Sequence, residues 1–126
     1  MNLFLLISWL ATWYSLDGNY TSSGEIFDSN KMTCASNHYK VGTLLEVTNI
    51  ANGKSVVVKV NDTGLFKGKK LDLSKGAFSK IANLKQGVIK IKVEKFNNKM
   101  NDLYYESTYE IQQLNNDELE LYLKTI

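Results

Sequence analysis

Three carboxylates in two short segments are the side chains of this chain best suited to proton chemistry. Glu25 and Asp28 lie in Thr21-Ser22-Ser23-Gly24-Glu25-Ile26-Phe27-Asp28, and Asp62 lies in Asn61-Asp62-Thr63-Gly64. A positioned carboxyl group can donate a proton and take one back, so acids gathered in one cleft suit general acid–base work. Asp62 ends a β-branched run and sits where a rigid strand meets a loop, a common place for working residues. Glu25 and Asp28 are three residues apart and would face opposite sides of an extended chain, so only a turn brings both to one cleft. The ordinary reading stays beside the chemical one: a solvated Glu25, an Asp28 bonded to neighbouring amides, and an Asp62 that caps its own turn.

The element that positions Asp62 reads as a β-hairpin. Val47 precedes a turn segment centred on Asn52-Gly53, and Val56, Val58 and Val60 then alternate with Val57 and Lys59 up to the polar stop. An Asn-Gly pair between β-branched runs favours a turn with positive φ. Further strands are expected at Trp13-Tyr14, Leu71 to Leu73 and Val88 to Phe96, where Ile89, Ile91, Val93 and Lys95 alternate with Val88, Lys90, Lys92 and Glu94. One helix follows Ser74, its predicted N-cap, with an apolar face of Ala77, Phe78, Ile81 and Ala82. Short strands with one packed helix suggest a small closed or nearly closed β-barrel. Beyond Phe96, Asn97-Asn98-Lys99 reads as a turn, Tyr105, Ser107, Tyr109 and Ile111 fit a strand period, and Asn116 to Leu123 fits a capped helix. Tyr104, Tyr105, Tyr109 and Tyr122 in this region suit either a sugar-stacking platform or ordinary packing, with packing favoured.

Composition narrows the function. At 126 residues the chain is one domain, large enough to bury a core without disulfides or metal. A net charge of +2, from 15 basic and 13 acidic residues, gives no broad basic field and no support for nucleic-acid binding. Lys67, Lys69 and Lys70 either attract an anionic substrate or form a solvated face, the latter being the commoner case. The single Cys34 and single His38 leave no metal-ligand set and no intramolecular disulfide, so no cofactor or metal is expected. Leu3 to Leu10 is too short an apolar run to span a membrane. Residues 1–10 are either a short export signal, although no Lys or Arg precedes the run, or a first apolar segment of the domain.

Several separated segments, in order, resemble one family. Ala11 to Ser15 (ATWYS), Thr21 to Asp28 (TSSGEIFD), Met32 to Ser36 (MTCAS), Val41 to Gly64 and Leu71 to Phe78 (LDLSKGAF) are similar to the rare lipoprotein A domain of septal-ring lytic transglycosylases, and more distantly to expansins. The resemblance runs over residues 11–96 and leaves 97–126 as a C-terminal extension. It implies a mainly β fold, a six-stranded double-psi β-barrel with one or two short helices. For active members it implies lytic cleavage of peptidoglycan glycan strands after N-acetylmuramic acid, in the cell envelope, periplasmic or secreted, leaving anhydro ends. The alternative it carries is a glycan-binding or expansin-like wall-loosening protein that cuts nothing.

The same resemblance points to site residues. Glu25, Asp28 and Asp62 stand at matching acidic positions, with Glu25 the expected proton donor, provided burial or nearby negative charge lets it hold a proton. Ser36 falls where active members usually have His, and His38, two residues on, either replaces that group or is a surface residue. Thr63 stands where Arg is usual and Leu65 where Pro is usual. Asp72 is the reserve acid, because expansins have an important acid in the corresponding Asp-Leu-Ser segment; its ordinary role would be to cap the following helix.

Overall fold

Six short strands close into one barrel. In this computed structural model the described residues are 9–64, 66, 68–95 and 108–125. The strands are β1 (Trp9–Tyr14), β2 (Thr33–Ser36), β3 (Leu44–Asn49), β4 (Ser55–Asp62), β5 (Lys70–Ser74) and β6 (Ile89–Lys95). Around the barrel they run β1-β5-β2-β4-β3-β6. The β1–β5 and β2–β4 pairs are parallel, and the antiparallel β2–β5 pair joins them. The barrel interior is filled by Ala11, Cys34, Leu45, Val47, Val58, Val60, Leu71, Leu73 and Ile91, each at most 1% exposed. Fully burying such aliphatic side chains contributes about 1.5–3 kcal/mol apiece, which is why strict alternation fixes the inward face. The expected six-stranded double-psi barrel is the observed architecture.

The helix α1 (Lys75–Ile81) closes one side of the barrel by burying Ala77, Phe78 and Ile81. Ser74 caps it as predicted: its Oγ accepts from the Ala77 amide at 3.1 Å and donates to the Lys31 carbonyl at 2.6 Å. The other end meets the hairpin, because Asn49 and Asn52 both donate side-chain amides to the Ile81 carbonyl, at 2.8 and 2.9 Å. Gly53 supplies the positive φ, 74°, that the hairpin turn requires. Gly76 has a different reason to lack a side chain: a Cβ there would lie 2.7 Å from the Ser29 carbonyl oxygen, which the Gly76 amide itself bonds at 2.7 Å.

Three expectations change. β2 carried no alternation in the sequence, because all four of its residues are buried. β1 begins at Trp9, earlier than the Trp13-Tyr14 pair suggested. The strand expected through Tyr109 and Ile111 is instead helical, over 108–113. There the useful spacing is four, not two: Tyr109 packs on the barrel core, and Gln113 on the same face accepts the Met32 amide at 2.9 Å. The final helix α2 (Asn116–Thr125) forms as expected, and Asn115 and Glu118 exchange side-chain-to-amide bonds of 2.9 Å at its start. The expectations for residues 1–8, Leu65, Lys67, Phe96, Asn97-Asn98-Lys99, Tyr104, Tyr105 and Ser107 fall outside the described residues.

Ser74 serves both the helix and the Lys31 loop. Ser74→Ala is expected to destabilise the protein by about 1–2 kcal/mol with the barrel retained, read as a lower urea midpoint at unchanged slope.

Candidate active site

Backbone pairing lays four residues in one row across the outer wall. Thr12 of β1 pairs with Asp72 of β5, Asp72 with Ala35 of β2, and Ala35 with Asp62 of β4. Between Cys34 and Ala35 the β2–β4 register shifts: Cys34 is opposite Val60, but Ala35 is opposite Asp62. Asn61 is therefore the extra residue of a β-bulge, and Asp62 takes the face that strict alternation would have given to Asn61. Two acids thus flank the small Ala35 at a backbone separation of roughly 10 Å, the width of two strand spacings.

Each acid is held by a different device. Asp72 is half-buried and accepts a hydrogen bond from the Thr12 hydroxyl at 2.9 Å. Burial pushes its carboxyl above the ordinary value, partly offset by the Thr12 bond and by the charge of Lys70. The Lys70 ammonium lies 5.0 Å from the centre of the Phe66 ring. Asp62 is fixed by the loop that carries Glu25. Its Oδ1 accepts from the Ser22 amide at 3.0 Å, the Ser22 hydroxyl at 2.8 Å and the Thr63 amide at 2.9 Å, bonds that set the plane of the carboxylate. The turn-capping reading of Asp62 therefore holds together with its place in the row.

Glu25 is brought to the same wall, but at the rim. It is exposed, and its carboxylate pairs with the Lys59 ammonium at 3.7 Å. Lys59 pairs with Thr33, which shares a face of β2 with Ala35, so the bulge leaves Lys59 and Asp62 on one face despite their odd spacing. The remaining candidates are engaged elsewhere. Asp28 accepts the Asn30 amide at 2.9 Å in a local turn. Ser36 is 1% exposed, and its hydroxyl oxygen accepts the His38 and Tyr39 amides at 3.1 and 3.0 Å. His38 is exposed and sets its ring edge-on to Trp9, with centroids 5.1 Å apart, while Tyr39 stacks on Trp9 at 5.6 Å. Asp72 does not cap α1, since Ser74 does.

Sequence reading missed Thr12 and Tyr14. Both lie in the ATWYS segment, and only the β1–β5 register shows that Thr12 meets an acid. Tyr14 stacks on the buried Phe27, with centroids 4.6 Å apart and planes at 29°. Its hydroxyl is buried beside Asp62 and interacts with that carboxylate both through its charge and as a side-chain hydrogen bond, although the bond is not well aligned. Burial first, and then the nearby Asp62, Cys34 and Asp72, push the phenol above its ordinary range, so it stays protonated. Burial likewise raises the Cys34 thiol, which makes it a core residue and not a nucleophile. No group of His, Cys, Asp and Glu among the described residues could hold a metal ion. A separate surface cavity of about 290 Å³ is lined by Asn49, Ile50, Ala51, Gln86, Val88, Ile89 and Lys90, and none of the candidate acids borders it.

Known proteins share this chain's sequence pattern and fold. The lytic transglycolase family model matches residues 8–93. Over 87 residues the chain is 41% identical to the endolytic peptidoglycan transglycosylase RlpA of Neisseria meningitidis, a match covering 67% of this chain and 36% of that protein. The chain thus spans about a third of the length of the curated relatives it matches. Among solved structures, the Streptomyces papain inhibitor superposes with a TM-score of 0.62 at 25% identity, covering 71% of this chain and 93% of that one. A mutant Clavibacter michiganensis expansin in complex with cellohexaose gives a TM-score of 0.59 at 27% identity, covering 72% of this chain and 50% of that one. With the barrel, the ordered acidic segments and a match across most of its strands, the chain belongs to the lytic transglycolase family.

Proposed function

We propose that this domain cleaves peptidoglycan glycan strands without water, in the cell envelope outside the cytoplasm, and leaves anhydro ends on N-acetylmuramic acid. The relatives named endolytic peptidoglycan transglycosylases support the reaction class and the location. The observation that carries the reading is the half-buried Asp72, bonded to Thr12 and set across Ala35 from Asp62.

In this reaction the bond from the anomeric carbon to the leaving oxygen breaks, and a bond to the sugar's own primary hydroxyl oxygen forms. One carboxyl group suffices for both proton transfers. Asp72 as the acid protonates the leaving oxygen, and as the carboxylate it removes the proton of the attacking hydroxyl. Its burial favours the proton-holding form that the first step needs, whereas Glu25 is exposed and paired with Lys59. In this assignment Asp62, oriented by Ser22 and Thr63, positions the sugar and stabilises positive charge developing at the ring. Glu25 contacts the glycan from the rim.

A second reading, a glycan binder that does not cut, has one observation on its side. Ser36 cannot take over the work of the histidine usual at its position in active members, because it is buried and its hydroxyl oxygen is occupied by two amides. Digestion of purified sacculi separates the two readings. Release of anhydromuropeptides, lowered about 10²–10⁴-fold by Asp72→Asn, is the outcome expected of the enzyme. Retention on sacculi with no released product would leave the binder.

The same substitution has a stability signature. A carboxyl whose folded pKa lies above its unfolded value weakens the fold as pH rises through that interval. The penalty is absent below the unfolded value and fully present above the folded one. Asp72→Asn keeps an oxygen to accept the Thr12 hydroxyl and removes the charge. Its melting temperature is expected to equal or exceed that of the unmodified protein at pH 7, with the advantage vanishing near pH 3. A variant markedly less stable at pH 7 would show that ionised Asp72 is a structural group.

A further inference from the structure

One cation on the acidic wall is held in place by an aromatic ring. Lys70 and Asp72 are alternate residues of β5, so they share its outer face, roughly 7 Å apart along the strand. The hydrogen bond to Asp72 comes from Thr12, while the Lys70 ammonium lies 5.0 Å from the centre of the half-buried Phe66 ring, within reach of its π face. The ring is itself fixed. A Cβ at Gly64 would overlap it, so only glycine lets the loop after β4 bring Phe66 in this close. Asn37, one residue beyond β2, clasps the same loop: its side-chain oxygen accepts the Gly64 amide at 3.0 Å, and its side-chain amide donates to the Phe66 carbonyl. Because β2 pairs with β5, this clasp ties the ring to the strand that carries both Lys70 and Asp72.

The other titratable groups around Asp72 do not do the work of this cation. Tyr14 on β1 and Cys34 on β2 feel the charge of Asp72 and hold their protons. On β4, Asp62 is a second acid across Ala35, and Lys59 is paired with Glu25. Burial disfavours the ionised form of Asp72, and Lys70 is the charge that opposes it. The lytic cycle asks one carboxyl to release its proton and then to take one back, so neither form can be held too firmly. A cation in direct contact would lock the carboxylate, and none at all would leave a weak proton donor. We propose that Phe66 and Lys70 are positioning residues, a ring that keeps a cation at a set distance from Asp72 so that the carboxyl both gives up and recovers its proton. This deepens the lytic reading and rests on it for Asp72 as the acid.

Carbon NMR titration of the full chain reads the Asp72 carboxyl directly, its signal assigned by its loss in Asp72→Asn. Lys70→Met removes the charge, and the midpoint is expected at higher pH than in the unmodified protein. Lys70→Arg keeps a cation that stacks on the ring and should leave the midpoint where it was. Phe66→Leu frees the ammonium into solvent, so its midpoint should rise less far than that of Lys70→Met. With peptide-stripped peptidoglycan glycan strands as the probe, kcat/KM for release of anhydro ends falls as pH rises through the Asp72 midpoint. In Lys70→Met that limb should move up with the midpoint, and the plateau below it should fall about threefold or more, because a weaker acid donates less readily. An unmoved midpoint in Lys70→Met overturns the proposal. So does a shift in Lys70→Arg as large as in Lys70→Met, or a midpoint in Phe66→Leu that does not rise. A midpoint that moves while the pH limb stays put overturns the catalytic role of the pair. If the unmodified protein releases no anhydro ends, the lytic reading fails by itself, and the titration still decides the pair: a raised midpoint in Lys70→Met and Phe66→Leu upholds the held charge, and an unmoved one overturns it.

Discussion

One extra residue in β4 decides which face of the barrel wall carries Asp62. Without the bulge at Asn61, the parallel β2–β4 pair would continue in register and place Asn61 opposite Ala35, turning Asp62 towards the other face. With it, Asp62 joins Thr12, Asp72 and Ala35 in a row that crosses two parallel strand pairs and the antiparallel seam between them. Each parallel pair contributes one acid. The small Ala35 lies between them, and on the reading proposed above a larger side chain on that face would crowd a bound sugar.

The row sets stability against function. Holding Asp72 half-buried favours its protonated form and disfavours its charged form, a load the fold carries at neutral pH. The surrounding loop offsets such loads with bonds that span long stretches of chain. Asp17 accepts the Ser29 amide at 2.6 Å and the Ser29 hydroxyl at 2.9 Å, bonds that hold its carboxyl below the ordinary range. Ser29 in turn receives the Gly76 amide, and the Ser23 amide bonds the Asn61 carbonyl at 3.2 Å. The loop bearing Glu25 is therefore tied both to α1 and to the bulge, which is how a segment of small polar residues keeps a defined path over the wall.

Local chemistry was legible in the sequence, and register was not. The Asn52-Gly53 turn, the Ser74 cap and the alternation of Ile89, Ile91 and Val93 each depend on neighbouring residues, and each appears where it was expected. β2 was hidden because a strand buried on both faces shows no alternation, and the helix over 108–113 was mistaken for a strand because two tyrosines and an isoleucine at even spacing fit either period. At the site, the acids could be named from the sequence, but their company could not. That Asp72 meets Thr12 and that Tyr14 lies against Asp62 both follow from pairings between residues distant in the chain.

This division also bears on the departures from the family pattern. Ser36 and Thr63 lie beside the row, not within it. The Ser36 hydroxyl secures the turn that seats His38 and Tyr39 against Trp9, and the Thr63 amide and hydroxyl help to hold Ser22 and Asp62 in place. The burial of Asp72 and its Thr12 bond, on which the proposed proton transfer rests, are touched by neither departure. On the reading proposed above, the changes at 36 and 63 therefore alter which glycan is held and how tightly, while the capacity to move a proton stays with strand pairs fixed by backbone hydrogen bonds.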